Sequence, residues 1–152
     1  MSRAIVILTQ NKFSLVDDED FDWINEWKWS FDGRYAVRTE KGKRVYLHRL
    51  LMKNPVGMDI DHINGDKLDN RKENLRIANS QQNSANMIKH GKYKYKGIYL
   101  SDGKRNKKWA AQIIIKRKNI HLGRFFTQKE AGRAYNIAAK KYFGDFARLN
   151  KI

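Results

Sequence analysis

Between Met58 and Met87 the chain reads MDIDHINGDKLDNRKENLRIANSQQNSANM, and there an imidazole, carboxylates and primary amides crowd together. Asp61 and His62 stand side by side, with Asn74 twelve positions after His62 and Asn83 twenty-one after it. Cutting a phosphodiester with water needs a neutral base for the water, a cation for the leaving oxygen and a grip on the substrate. His62 can be that base, since an unperturbed imidazole with a pKa of about 6.5 is largely neutral near pH 7. Asp61 offers a hard carboxylate oxygen and Asn83 an amide oxygen. Two protein oxygens, completed by waters and phosphate oxygens, are how Mg²⁺ is commonly held. Asn74 fits a brace whose amide bonds backbone and keeps a long loop aiming His62.

The elements that must position these groups follow from the local pattern. Met58 to Ile60 is extended and apolar and delivers Asp61 and His62 to a strand end. Neighbours on a regular strand point to opposite faces, so the pair converges only if that end is irregular. Asn64-Gly65-Asp66 is a turn signal, and the run Asp69 to Glu73 is too polar for a core. Leu75-Arg76-Ile77 alternates as a returning strand, and Ser80 caps a polar helix running to about Lys89. The order is strand, long loop, strand, helix.

Before it, Ala4 to Thr9 and Phe13 to Val16 read as strands about a Gln10-Asn11-Lys12 turn. DDEDFDWINEW reads as a helix with acids in its first turn and Phe21, Ile24 and Trp27 on one face. Lys28 to Phe31, Tyr35 to Thr39 and Arg44 to Leu47 form a meander, and His48 to Met52 a helical turn in which His48 is structural. After it, His90 to Lys96 is a basic linker. Gly97 to Leu100, Trp109 to Ile115 and Asn119 to Leu122 are strands. Thr127 and Glu130 have capping-box spacing before an amphipathic helix that stops at Gly144.

A chain of 152 residues makes one domain or two small ones. It has no cysteine, so disulfides and thiolate zinc sites are excluded. The apolar run AIVILT is too short to cross a membrane, which gives the expectation of a soluble, cytoplasmic protein. The net charge is +16, unevenly spread: residues 86–152 hold 18 Lys or Arg against 3 Asp or Glu, whereas residues 1–85 are nearly balanced. So lopsided a division points to a dedicated polyanion-binding module.

The sequence VYLHRLL followed by DHINGDKLDNRKENLR, with Asn83 beyond, resembles the HNH endonucleases of the phage and intron-encoded homing branch. The resemblance implies a ββα-metal fold with His62 as general base, Asp61 and Asn83 as metal ligands and Asn74 as the loop-fixing asparagine. Asn83 stands where a last histidine is common in the wider family, which implies Mg²⁺ or Mn²⁺ on an oxygen-only site. YKGIY, KKWAAQI, HLGRF, AGRAYNIAAKKYFG and ARLN are similar to the plant ethylene-response-factor (APETALA-type) DNA-binding domain, in which the sheet enters the major groove. By position, Lys96, Tyr99, Ser101, Gln112, Ile114 and His121 would fall at or near strand positions that face DNA. Arg105, Lys107, Lys108, Lys116, Arg117, Lys118 and Arg124 would contact phosphates.

The expected fold is α+β: a β-rich N-terminal segment (1–44), a ββα-metal nuclease module (45–89), a basic linker (90–96), and a three-stranded antiparallel sheet packed on one helix (97–152). The partner is double-stranded DNA, nicked on one strand, inside a bacterial host if the gene is a phage's. Monomer and dimer both remain open. So do a DNA-binding regulator with a decayed nuclease centre and an RNA-binding accessory protein.

Overall fold

The computed structural model describes residues 3–88, 92–101, 106 and 108–152. By backbone contacts the chain divides into two compact units, Met1–Ser80 and Gln81–Ile152. Helices and small antiparallel sheets occur in both, so the class is α+β as expected.

In the first unit β1 (Arg3–Ile7) and β2 (Phe13–Asp17) form a hairpin, and α1 (Asp18–Asn25) follows at once. Asp18, Glu19 and Asp20 fill the first turn of α1, where the helix dipole favours negative charge. A three-stranded meander comes next, β3 (Ser30–Phe31), β4 (Ala36–Glu40) and β5 (Lys43–Tyr46), and it runs into the short α2 (Leu47–Leu51). The hairpin of β6 (Asp59–His62) and β7 (Leu75–Ala78) closes the unit. One core serves all of it: Val6, Leu8, Val16, Ile24, Trp29 and Ala36 pack with Leu47, Leu51, Ile60 and Leu75. Residues 3–44 and the β6–β7 hairpin therefore share the apolar burial that stabilises each.

The 63–74 loop is tied to the N-terminal hairpin by its backbone. Leu15 N donates to Leu68 O (2.9 Å) and Asn70 N to Leu15 O (2.8 Å), giving a parallel bridge between Leu15 and Asp69. Lys72 N adds a bond to Asp17 Oδ2 (2.8 Å). A loop this polar could not be buried with its amides unmade, and these bonds meet that demand.

In the second unit α3 (Ser80–Asn86, from Gln81 onward) precedes β8 (Ile98–Leu100), β9 (Trp109–Ile115) and β10 (Lys118–Phe125), which pair antiparallel in the order β10-β9-β8. Helix α4 (Gln128–Phe143) covers one face of the sheet; its N-terminus carries the full capping box of Thr127 and Glu130. Ala111, Ile113, Ala131, Tyr135 and Ala138 are buried between them. Strand β10 runs past the expected stop at Leu122, because a bulge at His121/Gly123 lets the ladder resume and Gly123 takes φ +124° there. Of the expected linker 90–96, residues 90 and 91 lie outside the described residues, as does the expected helix end at Lys89. Tyr93 and Tyr95 pack into the core of this unit.

Helix α3 is held to the second unit by identifiable bonds. The Lys96 ammonium donates to Ala85 O (2.6 Å) and Met87 O (3.0 Å) at the helix's last turn, and burial lowers its pKa to about 8. Lys116 N donates to Gln81 Oε1 (3.0 Å) at the other end. Among the described residues, no helix is long and apolar enough to cross a membrane.

Candidate active site

The β6–β7 ladder stays regular through its last pair, with Asp61 opposite Arg76 and His62 opposite Leu75. Asp61 and His62 are thus consecutive residues of a paired strand, and the irregular backbone begins only at Ile63. Asp61 is 1% exposed, and Arg76 donates to its Oδ2 from both Nε (2.9 Å) and Nη2 (2.7 Å). A buried carboxylate is tolerated on such terms, with a guanidinium on it.

His62 is fully buried. Its Nε2 lies 3.1 Å from Asn70 Oδ1, and its ring packs edge-on against His48, centroids 5.2 Å apart. Tyr35 stacks on His48 at 4.8 Å and lies 6.3 Å from His62. Burial lowers the His62 pKa to about 4 and that of His48 to about 3, so both rings are neutral near pH 7.

Asn74 ties the two ends of the long loop together. Its Oδ1 accepts from Asn64 N (2.9 Å), its Nδ2 donates to Asp69 O (2.8 Å), and its own carbonyl accepts from Ile63 N (2.9 Å). Asp69, which the Arg71 guanidinium holds below the usual carboxylate range, also accepts from Asn64 Nδ2 (2.8 Å). The turn itself is set by side chains: Asp66 N bonds Asn64 Oδ1 and Leu68 N bonds Asp66 Oδ1. Asn74 thus makes three short bonds, one each to Ile63, Asn64 and Asp69, and the first of them holds the residue directly after His62.

Of the four residues singled out by spacing, Asp61, His62 and Asn74 belong to the first unit, but β6 is regular through Asp61 and His62, so the irregular strand end that their convergence called for is absent there. Asn83 lies on α3 in the second unit. Among the described residues, no three His, Cys, Asp or Glu side chains gather as a metal cluster. Arg76, Asn70, Ser14, His48 and Tyr35 are close partners of the site that spacing did not single out. Arg76 depends on strand register, Ser14, Tyr35 and His48 on chain distant in sequence, and Asn70 on the course of the 63–74 loop. Only the alternation of Leu75-Arg76-Ile77 could have signalled Arg76.

The face of the β8–β10 sheet away from α4 carries Tyr99, Gln112, Ile114, His121 and Arg124, together with Asn119, which spacing missed. Gln112 is directly opposite His121, Asn119 is opposite Ile114, and the Tyr99 hydroxyl is 3.4 Å from His121 Nδ1. Ser101 is buried, and its amide donates to Lys108 O (2.8 Å). Lys96 points its ammonium into the end of α3, as described. Lys116 and Arg117 form the tight β9–β10 turn at φ +48° and +63°, beside exposed Lys118. Arg105 and Lys107 lie outside the described residues.

Residues 45–85 match the family model described as HNH endonuclease. The chain is 31% identical over 148 residues to an uncharacterised HNH endonuclease of Acanthamoeba polyphaga mimivirus, covering 92% of this chain and 75% of that protein. A shorter likeness, 46% over 44 residues, is to an ethylene-responsive transcription factor-like protein of Arabidopsis thaliana, covering 29% of this chain and 18% of that protein. With a buried neutral histidine beside a carboxylate in the matched stretch, the chain belongs to the HNH endonuclease family, hydrolases that break phosphodiester bonds.

Proposed function

We propose that this chain is a divalent-metal-dependent DNA endonuclease, homing-like in character, that nicks one strand at a site gripped by its second unit. The observation that carries the reading is His62, buried and neutral at the end of β6, next to Asp61 in sequence and just ahead of the loop that Asn74 braces. A neutral imidazole is the form that can accept a proton, and burial keeps it neutral.

His62 takes a proton from water, the water oxygen bonds to phosphorus, and the bond to the leaving sugar oxygen breaks, that oxygen ending protonated. Asn74 keeps the loop after His62 from drifting. By the sequence resemblance alone, Asp61, whose Oδ2 Arg76 already bonds, and Asn83 are the oxygen donors that would hold Mg²⁺ or Mn²⁺. That donor set suits a hard cation that keeps most of its waters. Such an ion, when bound, supplies charge stabilisation for the leaving oxygen. Tyr99, Gln112, Ile114, His121 and Arg124 are the residues of the open sheet face that would meet bases or adjacent phosphates. Lys108, Lys116, Arg117 and Lys118 would meet phosphates, and Arg105 and Lys107 are assigned there by sequence position alone.

The purified protein should convert supercoiled plasmid to the nicked form with Mg²⁺ or Mn²⁺ and stop in EDTA. His62→Ala should lower the cutting rate by about 10²- to 10⁴-fold and leave DNA binding intact. Cutting by His62→Ala at the parent rate would remove His62 as the base.

A further inference from the structure

The hydrogen bonds behind His62 form a chain whose direction is fixed by its far end. Ser14 Oγ bonds Leu68 O at 2.9 Å, Asn70 Nδ2 bonds Ser14 Oγ at 2.7 Å, and Asn70 Oδ1 lies 3.1 Å from His62 Nε2. All three side chains are 1% exposed or less. A carbonyl oxygen only accepts, so Ser14 must spend its single hydroxyl proton on Leu68. Ser14 is then an acceptor toward Asn70, and only the NH₂ end of that amide can donate to it. The amide oxygen therefore faces His62, and it too only accepts. The proton of neutral His62 must sit on Nε2, which leaves the lone pair on Nδ1.

We infer that Ser14 and Asn70 are positioning residues of the nuclease reaction: they lock His62 as the Nε2–H tautomer, so that Nδ1, itself buried in this structure, is the atom left to accept the proton. The inference rests on His62 being the base and goes beyond it by naming the atom and the two residues that select it. It also gives a catalytic purpose to β2, which supplies Ser14 from a segment otherwise without chemistry. The same loop is held there by backbone, through Leu15 N to Leu68 O and Asn70 N to Leu15 O. Removing the serine hydroxyl thus leaves the loop attached while releasing the amide to turn.

The test is long-range ¹H–¹⁵N NMR of the imidazole rings in the ¹⁵N-labelled full chain, His62 being assigned by its loss in His62→Ala. The parent should show a protonated Nε2 and an unprotonated Nδ1 at His62. Ser14→Ala and Asn70→Ala should each lower kcat for plasmid nicking by about 10- to 100-fold with KM unchanged, and Ser14→Ala should show both tautomers. A proton on Nδ1 in the parent overturns the inference. So does Ser14→Ala keeping the parental tautomer and kcat. Should Asn70→Ala fail to fold, Ser14→Ala and the parent spectrum still decide. A His62→Ala variant that cuts would sink the base itself, an outcome distinct from a normal kcat in Ser14→Ala.

Discussion

Arg76 and His48 show how single side chains carry the site. Arg76→Ala would take the guanidinium from a carboxylate that is 1% exposed, and losing one partner of a buried pair costs about 3–5 kcal/mol. Chemical denaturation should register that loss, with Arg76→Lys recovering part of it. His48 is depressed to about pH 3 by burial and then by the neighbouring His62. In the unfolded chain it titrates near its ordinary value of 6.5. Between those values the unfolded state binds more protons, so stability falls as pH drops from about 6.5 toward 3. His48→Phe should flatten this acid limb in melting curves recorded across that range. A limb of unchanged steepness would mean that His48 does not contribute to it. The pair Asp61-His62 could be named from the sequence, but adjacency does not bring the two side chains together: β6 stays regular through both, and neighbours on a regular strand point to opposite faces. Arg76 could not be named, because its place opposite Asp61 exists only once the ends of the loop are tied and the register is set.

Among the elements, the β8–β10 sheet and α4 were the most legible, because a capping box and helical period are local signals. Strand β10 was read too short, since a glycine looks like a stop until the bulge it permits is seen. Gly97 shows the same limit from the other side. It stands at φ +77°, and a Cβ there would lie 1.9 Å from the Tyr135 ring. Gly97→Ala should therefore destabilise the second unit by about 2–5 kcal/mol through backbone strain and overpacking. Calorimetry would show the corresponding transition shifted down by many degrees. Lys96 was assigned to DNA from charge and position, yet its ammonium bonds the last carbonyls of α3. A lysine's sequence says nothing of which acceptor its long stem will reach.

At the scale of the whole molecule, charge is partitioned: residues 81–152 carry 18 Lys or Arg against 3 Asp or Glu. DNA binding should weaken steeply with salt, because each phosphate neutralised releases condensed counterions. Replacing Lys116, Arg117 and Lys118 together with glutamine should lower the slope of log K against log salt by about 0.9 for each phosphate that is no longer neutralised. A slope that did not move would exclude the β9–β10 turn from the interface. The partition itself needed no structure, since composition reports it directly. What composition could not report is that residues 3–44 share one core with the hairpin that bears His62.

The parallel bridge between Leu15 and Asp69 means that the matched stretch is no free-standing cassette. Excised at residue 45 and grafted elsewhere, it would arrive without the scaffold that its longest loop leans on, and the transplant would be expected to stay inert.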